Sequence, residues 1–430
     1  MLGSSIKISE DLVGLLPSIQ FTGMCIGSFV WGWSSDRFGR KSTFILTLLV
    51  GGTFGILAAL APNYATITIA LFFVGFGAGG NLAVDGSVFS EFLPRKRRGQ
   101  MMVLLSTFWA LGSIVASTCS YLILPRWTQP DIGWRILLAI PSCSSILVGL
   151  LRLTFVESPA YLIRKYPMDK VVENMNIVAK RNGTSTVFTP DMLERFLPQN
   201  QPKEKRGVPK LKRLTTRPLL WTTLLVWSFW WFTNFGFTGF NLFLPKLLQL
   251  KHNERASDSY LHTLIYNLAG VPGSLVGAIM VESFLGRKWT MTSCCIIAGV
   301  LMIAFNFISS LDSMVPTISC ICAINFFSQI MYAAYYTYTP EVFPTAARAT
   351  GVGLSSFFGK LAGIIAPLLI GWLLGIDVVI VLWLDFAMML TGTLTHRNEG
   401  KTDELRWNMH GRNLRYPGPR GPISTNLRYC

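Results

Sequence analysis

Charge is what this sequence has least of. Only 14% of its 430 residues are Asp, Glu, Lys or Arg, and just 22 of them are acidic. Soluble domains carry charge on about a quarter of their residues, so a water-solvated globule is excluded. Histidine is scarcer still: His252, His262, His396 and His410 lie near the ends of apolar runs or in polar segments. They form no metal-spaced cluster, so no enzymatic activity, metal or cofactor is expected. Seven of the eight cysteines (Cys25, Cys119, Cys143, Cys294, Cys295, Cys320 and Cys322) fall inside apolar runs. They read as small buried hydrophobes and give no disulfide framework. Lys7, Glu10 and Asp11 stand where a cleavable signal would have a basic region and an apolar core, so none is expected.

What the chain does have is apolar length. Hydrophobic residues make up 51% of it, and runs of about 20 apolar residues read as bilayer spans. Eleven occur, near 11–34, 43–62, 66–92, 101–124, 135–155, 218–244, 260–281, 289–309, 314–339, 349–374 and 376–395. The net charge of +16 could suggest a nucleic-acid partner, but its distribution excludes one. Arg126, Arg135, Lys246, Lys251 and Arg255 lie in loops on one side, and nearly all other Lys and Arg lie on the opposite side. By the positive-inside rule the basic side is cytosolic. The partners expected are therefore the lipid bilayer and a small-molecule substrate, for a chain acting as a monomer.

A pair of signatures occurs twice. Asp36-Arg-Phe-Gly-Arg-Lys41 is followed by Glu91-Phe-Leu-Pro94-Arg-Lys-Arg-Arg98. Glu282-Ser-Phe-Leu-Gly-Arg-Lys288 is followed by Glu341-Val-Phe-Pro344-Thr-Ala-Ala-Arg348. Lys41 and Lys288 are 247 residues apart, while Glu91 and Glu341 are 250 apart. Repeated hydrophobic halves are characteristic of secondary transporters, with substrate bound between them. The organisation expected is an N-terminal bundle (1–156), a basic cytosolic linker (157–217), a C-terminal bundle (218–395) and a disordered cytosolic tail (396–430). The linker carries Lys203-Glu-Lys-Arg206 and Lys210-Leu-Lys-Arg213, placed to attract anionic lipid. Shifting the 218–244 run back by one repeat places its partner before Met1, so a first helix is expected to be missing.

The string Gly32-x-x-x-Asp36-Arg-x-Gly39-Arg40-Lys41 resembles the loop between helices 2 and 3 of the major facilitator superfamily. Glu91-x-x-Pro94-x-x-x-Arg98-Gly99 resembles the end of helix 4 in its sugar porters, and Glu157-Ser-Pro159 the motif after helix 6. Gly79-Gly-Asn-Leu-Ala-Val-Asp85, Tyr338-Thr-Pro-Glu-Val-Phe-Pro344 and Gly353-Leu-Ser-Ser-Phe-Phe-Gly-Lys360 are similar to the synaptic-vesicle-protein-related and organic-ion branch. The resemblance implies an all-α polytopic membrane protein of two pseudo-symmetric helical bundles, with family helices 2–12 present. Where sugar porters carry Gln-Gln-x-x-Gly-x-Asn in helix 7, this chain has Trp230-Trp-Phe-Thr-Asn-Phe-Gly-Phe-Thr-Gly-Phe-Asn241.

Charges at helix ends can pair in one transporter state and hydrate in the other. A carboxylate such as Asp36 is favoured at a helix N-terminus by roughly 0.3–1 kcal/mol. Arg40 and Arg98 can bracket Glu91, while Arg287 and Arg348 can bracket Glu341; Glu282 completes the set. In the family such networks lock the outward-facing state, so these eight residues are the expected cytosolic gate. The plainer account is that the basic residues serve only topology.

Two charges lie deeper. Asp85 stands about 13 Å along its helix from Pro94, and Lys360 about 18 Å from Arg348, at 1.5 Å per residue. Each costs roughly 2.5–3.5 kcal/mol near the bilayer centre, so each should face a cavity or a partner. Asp85 is either a proton-coupling carboxylate or one end of a static interhelical hydrogen bond. Lys360 either attracts an anionic substrate or neutralises a carboxylate. Asn234, Thr238 and Asn241 share one helix face, and Asn325, Gln329, Tyr332 and Tyr336 another. Family helices 7 and 10 line the cavity, so these are substrate-contact candidates, with helix–helix hydrogen bonding as the alternative. Gly75-x-Gly77-x-Gly79-Gly80 lies within a span and reads as close helix packing rather than a nucleotide loop.

The function these features imply is secondary active transport of a small polar organic solute (a sugar, carboxylate or organic ion) by alternating access. Proton coupling is expected, and the setting is a plasma or vesicle membrane. The competing reading is a non-transporting sensor or defective paralogue on the same scaffold.

Overall fold

Every backbone polar group inside a bilayer must be satisfied within its own segment, so long apolar runs become helices. The computed structural model describes residues 14–93, 98–126, 132–184, 187–196, 214, 219–252, 255–283, 286–309, 313–343, 348–374, 376 and 379–391. Among the described residues there is helix and no strand. The first half holds α1 (Leu15–Phe38), α2 (Arg40–Ala59), α3 (Tyr64–Phe92), α4 (Arg98–Ile123) and α5 (Ile132–Leu151). Three short helices follow: α6 (Pro159–Lys165), α7 (Met168–Arg181) and α8 (Pro190–Phe196). The second half holds α9 (Leu219–His252), α10 (Ala256–Leu268), α11 (Gly270–Met280), α12 (Gly286–Ile308), α13 (Met314–Val342) and α14 (Arg348–Leu374). It ends with α15 (Val379–Thr391). The described residues of each apolar run are largely helical. Seven described stretches have the length and hydropathy to cross a membrane, with Thr107–Ile123 and Val379–Thr391 as shorter apolar helices.

The structure departs from the sequence reading in two places. The run 260–281 is not one helix but two, divided at Ala269 between α10 and α11. Pro272 contributes no N–H to the carbonyl four residues earlier, which loosens the ladder at that point. The segment after Glu157, read as a solvated linker, folds in part: Tyr161, Leu162 and Val171 bury one another between α6 and α7. Its clusters Lys203–Arg206 and Lys210–Arg213 lie outside the described residues, as does the tail from 392.

Packing follows the repeat. In the first half α3 packs on α1 and α2, and α2 on α5; in the second, α13 packs on α11 and α12, and α9 on α14. Among the described residues the main contacts between the halves are those of α1 with α14, and of α4 with α10, α11 and α13. The contacts of α1 with α14 and of α10–α11 with α4 are repeat mates of each other. Small residues make the closest approach possible. A methyl at Gly75 or Gly79 would overlap the carbonyl oxygens of Gln20 and Met24, and one at Gly23 or Gly27 those of Phe72 and Phe76. The glycine run of α3 is thus a packing surface against α1.

Candidate functional site

The turn from α1 to α2 is made at Gly39, whose φ of 107° disfavours any side chain. Its repeat mate Gly286, 247 residues on, also has positive φ, at 65°. The repeated motif glycine is therefore a backbone requirement in both halves. At the first turn, a carboxylate caps the N-terminus of α2, where helix partial charge favours an anion. That carboxylate is Glu157: its Oε1 accepts from the backbone N–H groups of Arg40 and Lys41, each at 3.0 Å. Below it, Tyr161 Oη donates to the Arg37 carbonyl at 3.2 Å, and Lys165 Nζ donates to the same oxygen. Arg40 Nη1 also donates to Ser35 Oγ at 2.5 Å. The post-helix-6 segment is thereby latched onto the motif loop.

The matching end of the second half carries an ion pair between Arg287 and Glu341. Their side chains are 34% and 47% exposed, so solvent screens the pair and it contributes only about 0.2–1 kcal/mol. An interaction that weak can form and break at little cost. Glu282 is exposed at the end of α11. The side chains of Asp36, Glu91, Arg98 and Arg348 lie outside the described residues, as does that of Asp85. The brackets proposed around Glu91 and the environment of Asp85 therefore stay expectations.

The two polar faces predicted on α9 and α13 meet in one stripe. Asn234 Nδ2 donates to the Trp230 carbonyl at 2.8 Å and, more weakly, to Tyr335 Oη at 3.4 Å. Asn241 Nδ2 donates to Tyr266 Oη at 3.3 Å, and Asn325 Nδ2 to the Tyr266 carbonyl at 2.7 Å. Gln329 lies against Gly270 and Gly273, beside the break between α10 and α11. Thr238 is half-buried on the same α9 face. Asn325 is 2% exposed and its Oδ1 has no hydrogen-bond partner among the described residues.

Around these amides the rings form a continuous aromatic wall. Trp230 lies 4.1 Å from Tyr335 and 5.6 Å from Tyr336 between centroids, and Tyr332 lies 5.9 Å from Tyr335. The indole N–H of Trp230 donates to Thr339 Oγ1 at 3.1 Å, which fixes the ring. Tyr336 is 50% exposed, so this wall has an accessible face. The helical spacing of 325, 329, 332 and 336 did not include Tyr335, and no periodicity within α13 could point to Tyr266 on α10. Trp230 had a visible signal, standing one turn before Asn234.

Lys360, on α14, is 9% exposed and makes no hydrogen bond or ion pair among the described residues. Its electrostatic neighbour is the Cys25 thiol of α1, across the boundary between the halves. One residue away, Gly359 lets α14 approach the Trp230 ring and the Asn234 amide: a methyl there would lie 2.8 Å from Trp230 Cε3 and 3.0 Å from Asn234 Nδ2. A second buried charge-bearing group, Asp385 on α15, was not singled out from sequence. It is fully buried, both carboxyl oxygens lack hydrogen-bond partners among the described residues, and it packs against Gly236 and Gly239 on the side of α9 away from Asn234.

The family model of the Major Facilitator Superfamily matches residues 1–367. A niacin transporter of Acinetobacter baylyi is 32% identical over 357 residues, covering 83% of this chain and 77% of that protein. An organic cation/carnitine transporter of Arabidopsis thaliana is also 32% identical, covering 84% of this chain and 78% of the relative. In three dimensions the chain is similar to the inward-open xylose transporter XylE of E. coli, with a TM-score of 0.72 at 16% identity. That likeness covers 91% of this chain and 88% of the other.

Proposed function

The chain belongs to the Major Facilitator Superfamily, a multi-pass integral membrane protein, and from that premise we propose that it moves a small polar organic solute by alternating access. The halves 1–156 and 218–395 act as the two rocking bundles, and the substrate is held at Asn234, Thr238, Asn241, Asn325, Gln329, Tyr332 and Tyr336. The observation that carries this reading is the weak Arg287–Glu341 pair at the end of the second half, in register with Arg40 and Glu91 of the first. When the basic face closes, Arg40 and Arg98 clamp Glu91 while Arg287 and Arg348 clamp Glu341, with Asp36 and Glu282 completing the ring. When it opens, these groups hydrate. The contacts joining the halves lie on a hinge-like boundary and include the hydrogen bond from Ser274 Oγ to Thr107 Oγ1 at 3.2 Å.

Coupling to protons is assigned to Asp85, on the helix that lines the cavity in this family. A carboxylate there must be protonated, paired or hydrated during the cycle. The named substrates of the relatives, niacin and organic cations with carnitine, fall within the solute class proposed here. The test is uptake into proteoliposomes across a panel of labelled sugars, carboxylates and organic cations, with and without an inward-acid pH gradient. Gradient-driven accumulation of one class supports the reading. Binding without uptake would favour a sensor on the same scaffold.

A further inference from the structure

We propose that Tyr266 is a positioning residue for transport: it links the half-buried Asn241 of the solute face to a hinge at Ala269, and so to the boundary between the halves. The proposal rests on the alternating-access reading. Its first observation is a broken symmetry. The repeat mate of α10 and α11 is α1, which runs unbroken from Leu15 to Phe38. Cys25 stands there, 247 residues before Pro272. Pro272 has no N–H for the Leu268 carbonyl. The bonds that span the break, from Ala269 N–H to the Ile265 carbonyl and from Gly273 N–H to the Ala269 carbonyl, are both stretched to 3.4 Å. Inside a bilayer, carbonyls freed at such a break must find partners on neighbouring helices. Here α13 supplies them from one face. Asn325 Nδ2 donates to the Tyr266 carbonyl at 2.7 Å, and the Cys322 thiol, three residues earlier, donates to the Ile265 carbonyl at 3.7 Å.

Tyr266 is held at both ends. Its carbonyl accepts from Asn325 of α13, and its hydroxyl accepts from Asn241 Nδ2 of α9 at 3.3 Å. In an unbroken helix that carbonyl would accept from the Gly270 N–H instead, so the clasp by Asn325 and the bend belong to one arrangement. A solute that draws the Asn241 amide to itself removes the brace on the last turn of α10. That turn is then free to change its angle to α11. The second helix carries the change to the boundary: Ser274, about 8 Å beyond Ala269 at 1.5 Å per residue, donates to Thr107 of α4 at 3.2 Å. The break itself also touches α4, since a methyl on Gly270 would lie 3.1 Å from Asn325 Nδ2 and 3.7 Å from Ala110 Cβ. Tyr266 is 1% exposed, so it acts through Asn241 and Asn325 without meeting the solute. A brace of this kind works on the conformational step, which sets the maximal rate of many cycles.

The experiment uses the purified full chain, with nicotinate, carnitine and xylose as the solutes tried. Amide hydrogen exchange of a peptide covering residues 264–274 in nanodiscs reads the hinge, and proteoliposome uptake per monodisperse protein reads transport. Tyr266→Phe and Thr107→Val each remove one hydrogen bond and should speed exchange at the break by about fivefold. Pro272→Ala restores the ladder N–H and should slow that exchange, with the melting temperature unchanged or higher. Tyr266→Phe and Pro272→Ala should each cut maximal uptake by about tenfold, with KM unchanged or lower. A merely structural bend predicts a different result for Pro272→Ala, a stable protein running at full rate, and that result would overturn the hinge. So would a raised KM at full maximal rate in Tyr266→Phe, which makes Tyr266 a solute contact. If Tyr266→Phe does not fold, Asn241→Leu cuts the same link from α9, and its exchange decides. If the wild type takes up none of the three solutes, the transport reading fails on this panel and exchange alone judges the linkage. Faster exchange in both Tyr266→Phe and Thr107→Val then sustains it, and wild-type exchange in either overturns it.

Discussion

Replacing Glu157 isolates the latch between the motif loop and the segment after α5. In Glu157→Ala the backbone N–H groups of Arg40 and Lys41 lose an acceptor at 3.0 Å, and the start of α2 loses its neighbouring negative charge. Removing a helix cap costs about 0.5–2 kcal/mol, and Glu157 is partly exposed, so about 1–2 kcal/mol is expected here. That raises the local opening equilibrium of the first turn of α2 roughly fivefold to thirtyfold. Glu157→Gln keeps one acceptor oxygen and loses only the charge, worth about 0.3–1 kcal/mol, so its effect should stay near twofold to fivefold. The assay is amide hydrogen exchange of a peptide covering residues 39–46 in detergent or nanodiscs. Faster exchange should be confined to that peptide and to α6, where Tyr161 and Lys165 hold the Arg37 carbonyl. If Glu157→Ala exchanges at the wild-type rate, the carboxylate is not the cap and the latch has been misread.

Three further outcomes follow from the same account. Arg287→Glu and Glu341→Arg should each abolish transport with at most about 1 kcal/mol lost in stability, and the double swap should restore part of the rate; single variants running at wild-type speed would remove these residues from the gate. Asp385→Asn should leave the melting temperature unchanged or higher, since no hydrogen-bond partner among the described residues is lost. Gly239→Ala should lower it, because a methyl there meets Ile370 and the Asp385 carboxyl; the reverse order would mean that Asp385 has a partner in the folded protein. Asp85→Asn should eliminate pH-driven accumulation yet preserve exchange of bound solute, which needs no net proton movement. Loss of both would make Asp85 a structural hydrogen-bonding group, and retained accumulation would remove it from coupling.

What the sequence disclosed was whatever its periodicity and repeats carry. Apolar length gave the helices, and the doubled motif contains both positive-φ glycines and the two residues of the Arg287–Glu341 pair. Side-chain spacing placed Asn234 and Asn241 on one face of α9 and Asn325 on α13. It could not place Tyr266 between them, because that junction depends on how α10 sits against two other helices. Tyr335 escaped for a smaller reason: it stands one residue off the face shared by Tyr332 and Tyr336, yet the wide ring still reaches Trp230. The break at Ala269 was hidden by its own composition, since Gly270, Pro272 and Gly273 occur readily within membrane helices. Asp385 stood in plain view within the last run, but only its burial against Gly236 and Gly239 distinguishes it from a charge at a membrane edge.

Alternating access is tested most directly by solute counterflow. Proteoliposomes loaded with unlabelled solute from the uptake panel are diluted into a trace of the labelled form, with no pH gradient. A single site exposed to each side in turn predicts a transient overshoot of label inside the vesicles, absent from empty vesicles and lost in Glu341→Gln. A flat trace for every solute that the purified protein demonstrably binds would contradict the account.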